Sequence, residues 1–327
     1  MSIKFFDMFA GIGGFRSGLE AIGGFECVGY CEIDKYAKQA YEAMYDTGGE
    51  LYFDDARKIV PEQLPDFDLL VGGFPCQSFS IAGARKGFDD TRGTLFFEIA
   101  RIAAVKKPKY LFLENVPGLL NHDKGRTFET ILRTLDGLGY NVCWQVLNIK
   151  NFGLLIKAKT KDGYQVAYPG DSIDIAFSGQ NSRRGRVGNQ VAHTLTTSAT
   201  QAYYFIDLNP DPKLTEIARC ITARHDSGIS NRKAEHSGVF VESTNIADDE
   251  KFAVAFVEPN GEVHIGRIRK LTPRECWKLQ GFTDEQFDKA KATGLSDSRL
   301  YKMAGNAVTV KVISEIGKII KKVNDKN

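Results

Sequence analysis

The chain has 327 residues, of which 26% are charged and 43% hydrophobic, with a formal net charge of +2. That length can bury a sizeable core, as one large domain with a smaller one. The near-neutral balance excludes a whole-molecule basic field, so any nucleic-acid contact has to come from local charge. The six cysteines are scattered without a C-x-x-C pair, which speaks for a reducing compartment and against a disulfide framework or a zinc site. No apolar run approaches the roughly 18 residues of a membrane span. Met1-Ser2-Ile3-Lys4 runs straight into a strand without a signal peptide, so a cytoplasmic protein is expected.

Residues 3–9 read as a strand that enters Ala10-Gly11-Ile12-Gly13-Gly14-Phe15, with a helix over 15–22. A glycine-rich turn between strand and helix lets backbone approach a ligand closely. The spacing is not the pyrophosphate G-x-G-x-x-G, and such turns also serve packing alone. A second strand, 26–31, ends in Glu32-Ile33-Asp34. In doubly wound folds an acid there hydrogen-bonds ribose hydroxyls, and it is equally a helix cap. Both uses fit if Glu32 takes the ribose and Asp34 caps a helix over 35–45. A third strand, 50–53, is closed by Asp54-Asp55, which either reaches an adenine amino group or forms a solvated turn.

Residues 67–72 form a short apolar run, the pattern of a buried parallel strand. It delivers Gly73-Phe74-Pro75-Cys76-Gln77, so the cysteine falls just past the strand's C-terminal end, where open α/β sheets place ligands and chemistry. Pro75 stiffens the turn that aims the thiol. A lone cysteine at such a place usually only packs. Residues 77–93, rich in Ser, Gly and charge, read as a mobile loop. The next apolar strand, 109–113, delivers Glu114-Asn115-Val116-Pro117 on the same edge. A carboxyl beside apolar residues would have a raised pKa and could give a proton; taken alone, Glu114 is equally a cap or a surface acid.

Taken together these motifs resemble the DNA (cytosine-5) methyltransferases of bacterial or phage type. The resemblance is carried in order by Asp7-x-Phe9-Ala10-Gly11-Ile12-Gly13-Gly14, Gly73-Phe74-Pro75-Cys76-Gln77-x-Phe79-Ser80, Gly93-Thr94-Leu95-Phe96-Phe97 and Glu114-Asn115-Val116. Leu271-Thr272-Pro273-Arg274-Glu275-Cys276-x-x-Leu279-Gln280-Gly281-Phe282 and Gly305-Asn306-Ala307-Val308 extend it. It covers roughly 3–153 and 267–323 and is specific because the motifs keep their order. The resemblance implies a doubly wound, mostly parallel Rossmann-like α/β sheet with a small β-rich target-recognition domain inserted. The catalytic domain would be 1–153 with 267–327, and the recognition domain 154–266.

It further implies S-adenosylmethionine as methyl donor, held by Phe9, Gly11, Gly13, Glu32, Asp55, Pro75, Leu95, Asn306 and Val308. Cys76 would be the nucleophile and Glu114 the acid at cytosine N3. The partner implied is double-stranded DNA, bound by a monomer associated with the nucleoid, with the target base flipped out of the stack. Gln77, Ser80, Arg85, Lys86 and Arg92 would belong to a lid over that base. Two other readings share the resemblance: a turnover-deficient DNA-binding protein on the same fold, and a transfer-RNA cytosine methyltransferase.

The chain departs from the family pattern twice. Ile33 stands where the family often has an aromatic residue. After Asn151-Phe152-Gly153 the family continues Pro-Gln-x-Arg-x-Arg, whereas this chain reads Leu154-Leu155-Ile156-Lys157. A stand-in is the stretch 180–187, with Arg183, Arg184 and Arg186, which also reads as a DNA-contact loop. Over 157–233 there are 11 Lys/Arg against 7 Asp/Glu, a modest local excess that suits either DNA or a solvated face. Short β-like runs at 165–168, 202–208, 239–241 and 253–257 suggest small sheets. Ala192-His193-Thr194-Leu195-Thr196-Thr197 is echoed by Ala218-Arg219-Cys220-Ile221-Thr222-Ala223. In the family such a Thr-containing turn sits near the base to be flipped, which the resemblance carries to Thr196 or Thr222; Arg224, His225, Asn231, Arg232 and Lys233, after the second copy, are candidates for base-edge or phosphate contacts.

In the tail, Thr272-Pro273-Arg274-Glu275 is a helix start. Residues 308–323 show apolar positions at helical spacing, the pattern of a packing helix.

Overall fold

The computed structural model describes residues 2–75, 95–147 and 270–326 with their side chains, and the backbone of nine strands between 154 and 270. The chain divides into two units, Met1–Val146 with Trp277–Asn327, and Leu147–Cys276.

The first unit is built on β1 (Ile3–Met8), β2 (Phe25–Cys31), β3 (Leu51–Phe53), β4 (Leu69–Gly73) and β5 (Tyr110–Glu114), in the order β3-β2-β1-β4-β5. Every pairing is parallel. The strands are apolar on both sides because both faces are covered. On one face Phe6, Met8 and Leu70 pack with Phe96, Ile99 and Ile102 of α3 (Leu95–Lys106) and with Ile131 and Leu135 of α4 (Arg126–Gly137). On the other, Phe5, Leu69 and Val71 pack with Phe15 and Leu19 of α1 (Gly14–Glu20) and with Ile313 of α8 (Val310–Asn324).

The chain's last segment therefore completes the first layer. A Cβ at Gly18 would come within 2.6 Å of Ile313, and one at Gly14 within 2.6 Å of the Val308 carbonyl. Those two glycines let α8 and its approach lie directly on α1. Helix α8 begins at Val310, behind Thr309, rather than at 308 as its apolar period suggested; Val308 forms the approach instead. Two further helices, α6 (Asp284–Ala292) and α7 (Asp297–Asn306), dock on α2 (Lys35–Met44). Gln39 Nε2 donates to the Thr293 carbonyl at 2.8 Å, Lys302 pairs with Asp34 at 2.9 Å, and the Arg299 guanidinium lies 4.1 Å from the Tyr36 ring centre. Thr272 and Glu275 form the expected reciprocal cap of α5 (Pro273–Leu279).

The second unit is β-rich. An antiparallel sheet runs in the order β11-β10-β12-β14-β13, from Leu214–Thr215, Tyr204–Asp207, Ser237–Glu242, Val263–Lys270 and Ala253–Val257. Two hairpins accompany it: β6 (Leu154–Lys157) with β7 (Tyr164–Ala167), and β8 (Ser172–Asp174) with β9 (Arg186–Gly188). Strand β14 runs through residue 266, the boundary that the resemblance implied for the inserted segment. It carries β12 on one side and β13 on the other, which sets its length.

Candidate active site

The parallel register aligns one residue from each strand in a single row: Phe53, Cys31, Met8, Gly72 and Leu113. The residues just past this row emerge together on the C-terminal edge of the sheet. That edge gathers Asp55, Glu32, the 9–14 turn, Gly73-Phe74-Pro75 and Glu114. The chain order reverses between β1 and β4, the switch point where open α/β sheets bind ligands.

The turn after β1 contains three left-handed residues, Phe9 (φ 55°), Gly11 (φ 56°) and Gly13 (φ 77°). Its glycines differ in purpose. Among the described residues a Cβ at Gly11 would meet nothing within 4 Å, whereas one at Gly13 would fall 2.5 Å from the Tyr45 ring. Among the described residues Gly11 is open on its Cβ side, and Gly13 is backed by Tyr45. The Gly11 amide donates to Glu32 Oε2 at 2.7 Å, and the Asp34 amide donates to Glu32 Oε1 at 2.6 Å. Glu32 thus clasps the turn to the end of β2. Burial raises its pKa against the pull of those two amides. Asp34 caps α2 through the Tyr36 amide, as its sequence position suggested.

Asp55 lies just beyond β3 and caps a short turn through the Arg57 amide. Arg57 also grips the carboxylate in a fork, with Nε 2.9 Å from Oδ1 and Nη2 2.7 Å from Oδ2. These hydrogen bonds hold the Asp55 pKa down at about 2, so the group stays ionised and an amino donor has to share it with Arg57. Arg57 was not among the residues expected from sequence; its signal is the acid-to-base spacing of two residues across a turn.

At the ends of β4 and β5, Gly73 stands beside Glu114. A Cβ on Gly73 would lie 3.0 Å from Glu114 Oε2, so the bare glycine leaves the acid its seat. Asn115 Nδ2 donates to the Phe74 carbonyl at 2.7 Å and joins the two strand ends. Phe74 is buried and packs 5.4 Å from Phe96, which anchors the start of α3, including Leu95, nearby. Burial raises the Glu114 pKa, the direction a proton donor requires. Asn306, the last residue of α7, is exposed, and Val308 lies against Gly14.

Among the described cysteines, Cys27, Cys31 and Cys276 are buried. Burial pushes all three thiols up, Cys31 and Cys276 to about 12, so none of them forms a thiolate near neutrality. Cys143 is exposed. Cys76, Gln77, Ser80, Arg85, Lys86, Arg92, Arg183, Arg184, Thr196, Thr222 and Arg224 lie outside the described residues. Arg186 opens β9, in register with Asp174 of β8.

A family model described as C-5 cytosine-specific DNA methylase matches residues 3–155 and 176–322. The type II methyltransferase M.NlaX of Neisseria lactamica is 36% identical, over 97% of this chain and 96% of its own. M.HhaI of Haemophilus parahaemolyticus is 35% identical, over 96% and 93%. The orphan methyltransferase M.SPRI of Bacillus phage SPR is 31% identical, over 97% of each. Among solved structures, S. pombe Dnmt2 methyltransferase superposes with a TM-score of 0.58 at 15% identity, over 99% of this chain and 100% of that one. A putative DNA modification methyltransferase from an E. coli prophage gives 0.55 at 17%, over 99% and 100%. At those identities the structures speak for the fold.

Proposed function

Because the chain belongs to the C-5 cytosine-specific DNA methylase family, we propose that its DNA cytosine-5 methyltransferase reaction is carried by Cys76 and Glu114, with S-adenosylmethionine as methyl donor. The observation behind this reading is the single row of strand ends. It brings an acid of raised pKa, a clasped glycine turn and the residue preceding Cys76 to one edge at the switch point. Sequence places Cys76 directly after Pro75, the last described residue beyond β4.

Cytosine is a poor nucleophile at carbon 5. The Cys76 thiolate forms a bond to carbon 6, and the electron pair of the 5,6 double bond moves onto carbon 5. Glu114, protonated, gives a hydrogen to N3 as negative charge builds there. After alkylation at carbon 5, a water molecule takes the carbon-5 proton, the ring double bond re-forms, the carbon–sulfur bond breaks to return the thiolate, and the N3 hydrogen goes back to Glu114. S-adenosylmethionine, when bound, supplies the electrophilic methyl group. Phe9, Gly11, Gly13, Glu32, Asp55, Pro75, Leu95, Asn306 and Val308 would hold it. The fit rests on the open side of Gly11 and on two carboxylates, Glu32 and Asp55, suited to hydroxyl and amino donors.

The substrate is duplex DNA with the target base out of the stack. Gln77, Ser80, Arg85, Lys86 and Arg92 close over it. Arg183, Arg184, Arg186, Thr196, Thr222 and Arg224, from a central recognition segment, contact the DNA. The protein acts as a cytoplasmic monomer. The missing Pro-Gln-x-Arg-x-Arg stretch favours one rival, a DNA-binding protein without turnover.

Transfer of labelled methyl from S-adenosylmethionine to mixed-sequence duplex DNA, with RNA in parallel, tests the proposal. Wild-type protein should label DNA, and Cys76→Ser should abolish labelling. Glu114→Gln should slow it on the order of a hundredfold. Methylation surviving in Cys76→Ser overturns the proposal. Donor binding without transfer by the wild type supports the rival.

A further inference from the structure

We infer that Tyr45, with Ser17 and Gln286, forms a positioning unit that sets the shape of the 9–14 turn and thereby the affinity for the methyl donor. The inference rests on the assignment of that turn to the donor. Tyr45 comes directly after α2. Its hydroxyl donates to the Gly13 carbonyl at 2.9 Å and lies 3.2 Å from the Ile12 carbonyl. Ser17, one turn into α1, shares a short hydrogen bond with the same hydroxyl. Gln286 Nε2 donates to Ser17 Oγ at 2.8 Å.

The direction of this chain is fixed from its far end. Gln286 Oε1 accepts the Thr283 amide at 3.0 Å in the capping box of α6, so the amide nitrogen is the atom left for Ser17. Ser17 then donates to Tyr45, and Tyr45 donates to the turn. Each bond polarises the next. The Tyr45 ring does a second job by filling the space behind Gly13, where a Cβ would fall 2.5 Å away. The turn is therefore backed on one side and open on the other, at Gly11. Phe9 at φ 55° adopts a conformation that a phenylalanine keeps only when its surroundings impose it. Through Gln286, 269 residues from Ser17 in sequence, the Tyr45 unit ties the far end of the turn to α6. None of the three side chains carries a reacting atom, so they act through the turn.

Two conservative variants separate the links. Tyr45→Phe keeps the ring and loses the hydroxyl. Gln286→Glu keeps the acceptor for the Thr283 amide and loses the donor to Ser17. The readouts are the Kd for S-adenosylhomocysteine by calorimetry, the KM for S-adenosylmethionine, kcat on duplex DNA and the melting temperature. Tyr45→Phe should raise the donor KM and Kd about tenfold. Gln286→Glu should raise them less, and both should keep kcat at saturating donor within about twofold. A fall in melting temperature with unchanged donor affinity would overturn the inference by reducing the unit to scaffolding. Phe9→Ala separates the inference from the assignment beneath it. If Phe9→Ala weakens donor binding and Tyr45→Phe does not, the positioning unit alone fails. If neither weakens it, the assignment of the turn fails with it.

Discussion

Gly73 and Glu114 show how one missing methyl group governs the site. Gly73 does not have a left-handed φ, so alanine is compatible with its backbone, and among the described residues the new Cβ would press only on Glu114 Oε2, 3.0 Å away. Gly73→Ala should therefore leave stability within about 1 kcal/mol of wild type. It should slow single-turnover methylation by roughly tenfold to a hundredfold, as a displaced acid does. Rapid-quench methylation and thermal melts check both halves; an unaffected rate would remove Glu114 from the reaction. The sequence made Glu114 legible, because an acid after an apolar strand is visible in the string. It could not reveal why Gly73, Gly13 and Gly14 lack side chains. The atoms that a Cβ would crowd at Gly73, or clash with at Gly13 and Gly14, belong to residues 114, 45 and 308, distant in sequence from the glycines they constrain. Asp55 was legible as an acid at a strand end, but the Arg57 fork that keeps it ionised depends on the fold of the turn.

At the scale of the element, β1 carries a buried acid, Asp7, at the head of the glycine-turn motif. Asp7 is completely buried, and its Oδ1 has no hydrogen-bond partner among the described residues. Its Oδ2 accepts from Tyr41 at 3.4 Å. Arg16, Cys27, Cys31, Glu32, Glu50, Tyr41 and Tyr45 are charged and titratable groups around it. Arg16 pairs with Glu20 and Glu50 instead. Burial pushes the Asp7 pKa up to about 8, with Arg16 opposing. The folded chain thus holds a proton that the unfolded chain releases near pH 4, and this contribution to stability is lost as pH climbs toward 8. Asp7→Asn keeps the shape of the protonated acid without titrating. Wild type should lose stability relative to this variant between pH 5 and 8, on the order of 1 kcal/mol per pH unit, in urea melts at three pH values. The opposite slope would mean an ionised Asp7 held by Arg16. The five strands of this sheet were legible because each runs apolar into a motif. Helix α3 was not, since it lies against the sheet and reads as apolar almost throughout. The α4 stripe of Thr127, Ile131 and Leu135 is a helical-period signal that a scan of 126–137 would find.

For the whole molecule, the open question is what stands in for the absent arginine motif. The family match breaks after 155 and resumes at 176, so the gap falls on the β6–β7 hairpin and the resumed match includes 180–187. Arg186 is the first residue of β9, a strand held by backbone pairing to β8. Such a strand fixes where a side chain begins better than a loop does. If Arg186 stands in for the absent family arginines toward the cytosine, removing it deletes a contact made at the reacting ring. Arg186→Ala should then lower methylation at saturating DNA and donor by about a hundredfold. DNA affinity should stay within about twofold of wild type in fluorescence anisotropy, with an unchanged salt slope. A phosphate-binding arginine behaves differently: its loss weakens binding to all sequences alike and lowers the salt slope by about one. Loss of affinity and rate together, with a shallower slope, would therefore assign Arg186 to the DNA backbone and leave the family's missing arginines without a replacement at that position.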